Sequence, residues 1–254
     1  MRFGCCCALD QAPVAHAAGF DYIETTVVSL LPEADDATFA PILARHQAAP
    51  IPTHACNVFL PGDLKVVGPN LDWPRIEHYV QTALARVQAI GASVVVFGSG
   101  RARMVPDGFA RADAEAQLVD FLHLVADAAA ANEITVVIEP LNRKESNILN
   151  SVAEGVTLAQ RVNRPAIQVL ADFYHMDEES EPLQHLLEYK DWLAHIHVAD
   201  TGRRAPGTGS YPYPEFVHLL HEANYEGMVS VECRWEDLAA EAGPACAYLR
   251  RVFA

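Results

Sequence analysis

The chain has 254 residues, 51% hydrophobic and 20% charged, which suits one large α/β barrel or two small domains and allows a sizeable core. Its 18 basic against 33 acidic side chains leave a formal net charge of −15, which argues against nucleic acid as a partner. No run of about 18 apolar residues occurs, and the opening MRFGCCCALDQ lacks a charged segment followed by a long apolar core, so no membrane association or secretion is expected and the chain reads as cytoplasmic.

Arg2 to Leu9 reads as the first strand. Its Cys5, Cys6 and Cys7 alternate faces and can form neither a spaced disulfide framework nor a CxxC metal knuckle, so the six cysteines read as reduced, buried thiols. Asp10 to Ala18 follows as a helix with Asp10 as N-cap and Gly19 as stop. The pattern then repeats: strand Asp21 to Thr25, helix Asp35 to Gln47, strand Ile51 to Asn57, loop Val58 to Leu71, and a helix from Asp72 to Ile90 with a first-turn proline. Next come strand Ala92 to Phe97, helix Ala110 to Ala131, strand Ile134 to Glu139, and helix Ser151 to Val162 opened by a Ser151/Glu154 capping box. Strand Pro165 to Asp172, helix Glu178 to Tyr189, strand Leu193 to Ala199, helix Tyr213 to Asn224, strand Met228 to Cys233 and helix Glu236 to Val252 complete the chain. Eight strands alternate with eight helices without a linker composition, the count of one (β/α)8 TIM barrel spanning residues 1–254. An open doubly wound sheet would carry a glycine-rich phosphate turn after the first strand, and CCCALD is not one.

The later strands end alike. ITVVIEP delivers Glu139 to a rim, because Pro140 cannot extend a ladder. Asp172 ends the sixth strand, His197 lies near the end of the seventh, and Glu232 near the end of the eighth. Counting back by two from each gives a mixed set suited to a barrel interior (Val137, Leu170, His195, Ser230), while the intervening residues are apolar and suit a face covered by helices. One register therefore places all four polar groups at the inner C-terminal mouth, and separations of 33, 25 and 35 residues put them on adjacent strands. Three carboxylates and an imidazole would repel unless a cation sat between them. Hard oxygen donors with one nitrogen suit a divalent metal ion, with Mn²⁺ expected first, Mg²⁺ or Co²⁺ close to it, and Zn²⁺ compatible. His195 points inward one layer deeper and reads as a hydrogen-bonded core histidine.

The motifs E-P-x-N-x-x-E at Glu139 to Glu145, D-x-x-H at Asp172 to His175, H-x-H with an arginine six residues further on at His195 to Arg203, and V-E-C at Val231 to Cys233 together resemble the xylose-isomerase-like barrel superfamily. Within it the chain looks most like the D-tagatose 3-epimerase and hydroxypyruvate isomerase group. The resemblance implies that Glu139, Asp172, His197 and Glu232 bind the metal, that Glu139 and Glu232 act as acid/base pair, that Glu145, His175 and Arg203 contact a small sugar substrate, and that the protein forms a homodimer or homotetramer. Glu24, His54 and Asn57 are further rim candidates, with His54 taken as a substrate contact. The segment Leu60 to Pro69, with its glycines and apolar residues, reads as a lid.

The chemistry that follows is a metal-dependent ketose epimerisation or isomerisation through an enediolate. A metal-dependent lyase or dehydratase on a keto-polyol needs the same intermediate and is the enzymatic rival; a non-catalytic sugar-binding barrel would not need two carboxylates flanking a metal. A three-zinc DNA-repair site would require histidines that Phe97-Gly98-Ser99-Gly100 and the segment Thr201 to Pro214 do not supply. No dense phosphate cradle is visible, which favours an unphosphorylated substrate.

Overall fold

Each strand-forming run is followed by a segment long enough to cross back over the sheet, so successive strands pair in parallel. The computed structural model, covering residues 1–254, closes β1 (Arg2–Cys6), β2 (Tyr22–Thr26), β3 (Thr53–Asn57), β4 (Val94–Phe97), β5 (Thr135–Ile138), β6 (Ile167–Asp172), β7 (Leu193–Val198) and β8 (Met228–Val231) into a barrel in that order. The covering helices are α1 (Ala12–Ala17), α2 (Asp36–Gln47), α3 (Trp73–Ala89), α4 (Gly100–Arg103), α5 (Arg111–Ala131), α6 (Val152–Val162), α7 (Phe173–Glu178), α8 (His185–Glu188), α9 (Tyr213–Glu222) and α10 (Leu238–Val252). The TIM barrel expected from the sequence is the fold observed, and no helix is long and apolar enough to cross a membrane.

Two apolar clusters show the strand register. Tyr22, Ala55, Val94, Val96, Val137, Leu170 and Met228 fill the barrel interior. Val136, Ile138, Val169, Ala171, Ile196, Val198, Val229 and Val231 belong to the larger layer between sheet and helices. Period-two alternation thus assigns the faces as the sequence predicts. Tyr22 occupies the interior opposite Gly4, where any Cβ would overlap its ring, and its hydroxyl lies 2.8 Å from Ser230 Oγ.

Several boundaries differ from expectation, each for a local reason. β1 stops at Cys6, and Asp10 lies inside a 3-10 turn (Leu9–Gln11) where it makes no capping bond; Gln11 Oε1 accepts the Ala8 N–H at 3.2 Å instead. The capping box of α6 is half formed: Ser151 Oγ accepts the Glu154 N–H, but the Glu154 carboxylate turns to Asn150 N–H at 2.9 Å. The helix expected over Glu178 to Tyr189 is replaced by α7 and α8. Asp172 caps the amides of Tyr174 and His175, so helix begins at once after β6, and Ser180 at φ 52° followed by Pro182 separates the two pieces.

α2 is pinned to β3 by His46, whose Nδ1 lies 2.9 Å from Thr53 Oγ1. Burial, with a smaller push from Arg45, lowers this imidazole to about 4 from its ordinary 6.5. The unfolded chain therefore takes a proton near pH 6.5 while the folded one resists it until about 4, so His46 removes stability as pH falls through that window. Urea denaturation at pH 7 and pH 5 checks this: the wild type loses stability on acidification, and His46→Gln loses measurably less.

Candidate active site

Four groups converge where β5 to β8 reach the C-terminal mouth. Asp172 and His197 face each other across the β6–β7 ladder. Glu139 and Glu232 stand one residue past β5 and β8, still held by sheet-type bonds from Glu139 N–H to Phe97 O (3.3 Å) and from Glu232 N–H to Val198 O (3.0 Å). Pro140 then ends the ladder, so the first of these acids is the last group the strand can aim inward. All four side chains offer donor atoms within 4.8 Å of one another. His197 Nδ1 lies 3.2 Å from Glu139 Oε1, 3.5 Å from Glu232 Oε2 and 4.0 Å from Asp172 Oδ2.

Asp172 divides its labour. Oδ1 accepts the N–H groups of Tyr174 (2.7 Å) and His175 (3.4 Å), whereas Oδ2 is buried with no hydrogen-bond partner. A buried, unpartnered carboxylate oxygen beside two further carboxylates is costly unless a cation compensates it. Three hard oxygen donors and one imidazole nitrogen around such an oxygen fit a divalent metal ion.

Behind His197 runs a polar column fully sealed from solvent. Glu24 Oε1 lies 2.9 Å from His197 Nε2, and Glu24 Oε2 lies 2.9 Å from His195 Nε2; that nitrogen is 3.3 Å from Ser230 Oγ, which meets Tyr22. With Nε2 engaged by Glu24, the Nδ1 edge is aimed at the three front carboxylates, the arrangement by which outer partners orient a metal-binding histidine. Glu24 is thus a buried anchor rather than the rim acid suggested by the sequence. His195 takes the deeper, hydrogen-bonded place expected of it.

Charge balance follows the geometry. Burial alone would raise Glu24, but His197 and His195 outweigh it and hold the carboxyl well below the usual range. Burial would lower His197, yet Glu24 and Glu232 outweigh it and push the imidazole well above its ordinary value. Glu139 is raised by burial and then by Glu232, whereas Glu232 is held low because His197 and Arg203 overcome its burial.

The opposite wall offers hydrogen-bond groups. One Arg203 nitrogen lies 2.6 Å from Glu232 Oε2 and another 3.2 Å from Glu145 Oε1, with the guanidinium 5.0 Å over the Tyr174 ring. Arg204 turns away to the carbonyls of Thr201 and Thr208. His175 Nδ1 accepts the Asn142 N–H at 3.1 Å, so its proton sits on Nε2; that N–H has no partner and stands 3.9 Å from Asp172 Oδ2. Gly98 leaves room for the acid next to it, since a Cβ there would overlap Glu139 Oε2. Of these groups Gly98, Glu139, Glu145, Arg203 and Glu232 line a cavity of about 360 Å³ that also touches Leu60, Gly62 and Arg101, while His175 lies outside its lining.

Two sequence expectations need correction. His54 does not reach the mouth: it sits at a register shift between β2 and β3, its ring 5.9 Å from Tyr22 near the barrel floor, where burial and Arg2 lower its pKa. The lid expected over Leu60 to Pro69 is a docked wall, with Leu60, Leu64, Val66 and Val67 buried rather than exposed. Bonds from Leu60 N–H to Ser99 Oγ (3.0 Å) and from Val66 N–H to Ala102 O (3.0 Å) fix it, and both backbone groups of Gly68 engage Gln117.

One positioning group escaped the sequence reading. Arg103, fully buried and lowered to about 10 by that burial, donates to Phe97 O (2.8 Å) and Glu139 O (2.7 Å), clamping the ends of β4 and β5. It lies in a stretch without periodicity, so nothing in the sequence marked it. Asn57, a rim candidate, donates to Glu232 Oε1 at 3.1 Å.

Residues 13–252 match the Xylose isomerase-like TIM barrel family. The chain belongs to this family. It is 33% identical over 182 residues to the 3-dehydro-D-guloside 4-epimerase of Escherichia coli K12, covering 69% of each chain. It is 34% identical over 115 residues to the D-psicose 3-epimerase of Agrobacterium fabrum, covering 45% of this chain and 40% of that one. Both relatives are epimerases, a kind of isomerase. In structure it resembles the D-psicose 3-epimerase of Clostridium cellulolyticum H10 solved with D-tagatose, with a TM-score of 0.86 at 21% identity over 100% of this chain and 99% of that one.

In this member of the family, the loop that carries Arg203 is organised by Asp200. Its Oδ1 accepts the N–H groups of Thr201 (2.8 Å) and Tyr211 (3.1 Å), and its Oδ2 accepts Gly207 N–H at 2.9 Å, all on a carboxylate 1% exposed. Asp200→Ala should therefore release the loop. Hydrogen exchange is expected to show lost protection at the Thr201, Gly207 and Tyr211 amides, with the barrel strands unaffected.

Proposed function

We propose that this chain is a divalent-metal-dependent epimerase or isomerase of a small ketose-type sugar, working through an enediolate. The observation that carries the reading is the placement of Glu139 and Glu232, two carboxylates lining one cavity at 3.2 and 3.5 Å from His197 Nδ1, with the Arg203 guanidinium 2.6 Å from Glu232. The epimerase relatives support it.

Glu139, Asp172, His197 and Glu232 would hold the ion. When bound, a divalent cation supplies stabilisation of the negative charge that develops on the substrate carbonyl oxygen as a neighbouring C–H proton leaves. With a sugar held between them, Glu139 and Glu232 would face its two sides, one removing the proton and the other supplying one to the opposite face, which inverts that carbon. When the proton is taken instead from the terminal carbon beside the carbonyl, and one is returned to the former carbonyl carbon, the ketose becomes its aldose isomer. Arg203 and the His175 Nε2–H fix sugar oxygens, Arg203 also orienting Glu232, and Glu145 accepts a sugar hydroxyl. The docked wall of Leu60 and Gly62 limits water access to the intermediate. A lyase acting on a keto-polyol would share the proton removal and differ in expelling a β-substituent.

Incubation of the Mn²⁺-loaded protein with a panel of ketohexoses in D₂O separates these outcomes. Deuterium is expected at the carbon next to the carbonyl, without unsaturated products. Glu139→Gln and Glu232→Gln should each lower the exchange rate by roughly 10² or more. Undiminished turnover by exhaustively chelated protein would contradict the role of the metal, and an unsaturated product would favour the lyase.

A further inference from the structure

Asn142 is the asparagine of the motif that runs from Glu139 to Glu145, and the chemistry proposed above leaves it without a task. It is fully buried, and each of its polar atoms is engaged. Its carbonyl oxygen accepts the N–H groups of Glu145 (2.9 Å) and Ser146 (3.1 Å), which turns the chain after β5. Its side-chain Oδ1 accepts the Lys144 N–H at 3.1 Å. That bond settles which end of the amide is which, so Nδ2 is the end that meets Glu145 Oε1 at 3.3 Å and His175 Nδ1 at 2.9 Å.

His175 Nδ1 therefore faces two N–H donors, one from the Asn142 backbone and one from its side chain. Both require a lone pair on that nitrogen, and the tautomer protonated there can serve neither. The proton of the neutral ring is left on Nε2, 3.9 Å from the Asp172 oxygen that has no donor. The same amide also acts in the other direction. Glu145 accepts from Arg203 through both of its oxygens (3.2 and 3.3 Å), and Arg203 donates to Glu232 at 2.6 Å. One buried side chain thus joins His175 to the arc of Glu145, Arg203 and Glu232 that lines the cavity.

We infer that Asn142 is a positioning residue for the reaction: its amide fixes His175 as an Nε2–H donor and sets Glu145 against Arg203. The turn itself needs neither Nδ2 bond, since the Lys144, Glu145 and Ser146 amides already close it. The inference rests on the epimerase or isomerase reading for its effect on turnover, whereas the tautomer of His175 does not depend on that reading. In that reaction negative charge grows on a sugar oxygen, which an N–H stabilises and a ring lone pair opposes.

Two substitutions separate positioning from packing. Asn142→Asp keeps the shape of the side chain and the Lys144 contact but puts a charged acceptor in place of the Nδ2 donor. A ring N–H bond to that carboxylate is about twice as strong as the neutral bond from the backbone N–H, so the proton moves to Nδ1 and a lone pair on Nε2 faces Asp172. The new charge also repels Glu145. Asn142→Ala removes more atoms but leaves the backbone donor, and with it the original tautomer.

Nitrogen-15 correlation spectra of the diamagnetic Mg²⁺-loaded protein read the tautomer, with the His175 signal identified by its loss in His175→Asn. Nε2 should be protonated in the wild type and in Asn142→Ala, and Nδ1 in Asn142→Asp. With Mn²⁺ and the ketose that exchanges fastest in D₂O, kcat should fall at least about tenfold in Asn142→Asp and about threefold in Asn142→Ala, with KM changed by less than about threefold in both. A packing role predicts the reverse order, because Asn142→Ala leaves the larger cavity. Wild-type His175 protonated at Nδ1, a proton that stays on Nε2 in Asn142→Asp, or Asn142→Ala slower than Asn142→Asp would each overturn the inference. Should Asn142→Asp fail to fold, an undiminished kcat in Asn142→Ala would overturn it. Absence of exchange with every ketose would overturn the epimerase reading instead, and the spectra would still decide the hold of Asn142 on His175.

Discussion

One imidazole organises the mouth of this barrel. His197 is sealed from solvent with Glu24 behind it and Glu139, Asp172 and Glu232 in front, so it has an acidic partner on each nitrogen. So much buried negative charge is sustainable only when every oxygen has a donor or a cation to face. Glu24 meets that condition with its two histidines; the Asp172 oxygen left without a donor is where it is not met by the protein itself. The donor set that would receive a metal ion follows from this imbalance.

The barrel supplies the rigidity this arrangement needs. Tyr22, packed against Gly4, fills the interior below the column and ties β2 to β8 through Ser230. At the mouth Arg103 joins the ends of β4 and β5, and Asp200 fixes the turn that presents Arg203. Each is a fully or almost fully buried charge whose bonds go to backbone groups. Their work is to hold strand ends and loops in place, so that the acids on those strands keep their separations.

Alternation along β5 to β8 was enough to read Glu139, Asp172, His197 and Glu232 as one cluster, because a parallel barrel makes period two and strand order nearly sufficient to place an inward side chain. His54 escaped the same logic because a register shift between β2 and β3 breaks the alternation at that point. Glu24 was noticed, but its role depends on its depth relative to His197, which no single strand reveals. The segment from Leu60 to Pro69 looked mobile because its composition is that of a loop. Its burial depends on contacts with Ser99, Ala102 and Gln117, which are remote in sequence. Arg103 and Asp200 are ordinary loop charges by sequence, and only their surroundings distinguish them.

The central claim is that one metal ion sits in front of His197, on its Nδ1, with Glu24 holding the ring from behind. Anomalous X-ray diffraction from crystals grown with Mn²⁺ tests it most directly. The account predicts a single strong anomalous peak within ligating distance of Glu139, Asp172, His197 Nδ1 and Glu232, with the Glu24 to Nε2 bond intact. A peak on the Nε2 side, among Cys6, Glu24 and His197, or no peak at the mouth at saturating Mn²⁺, would contradict it.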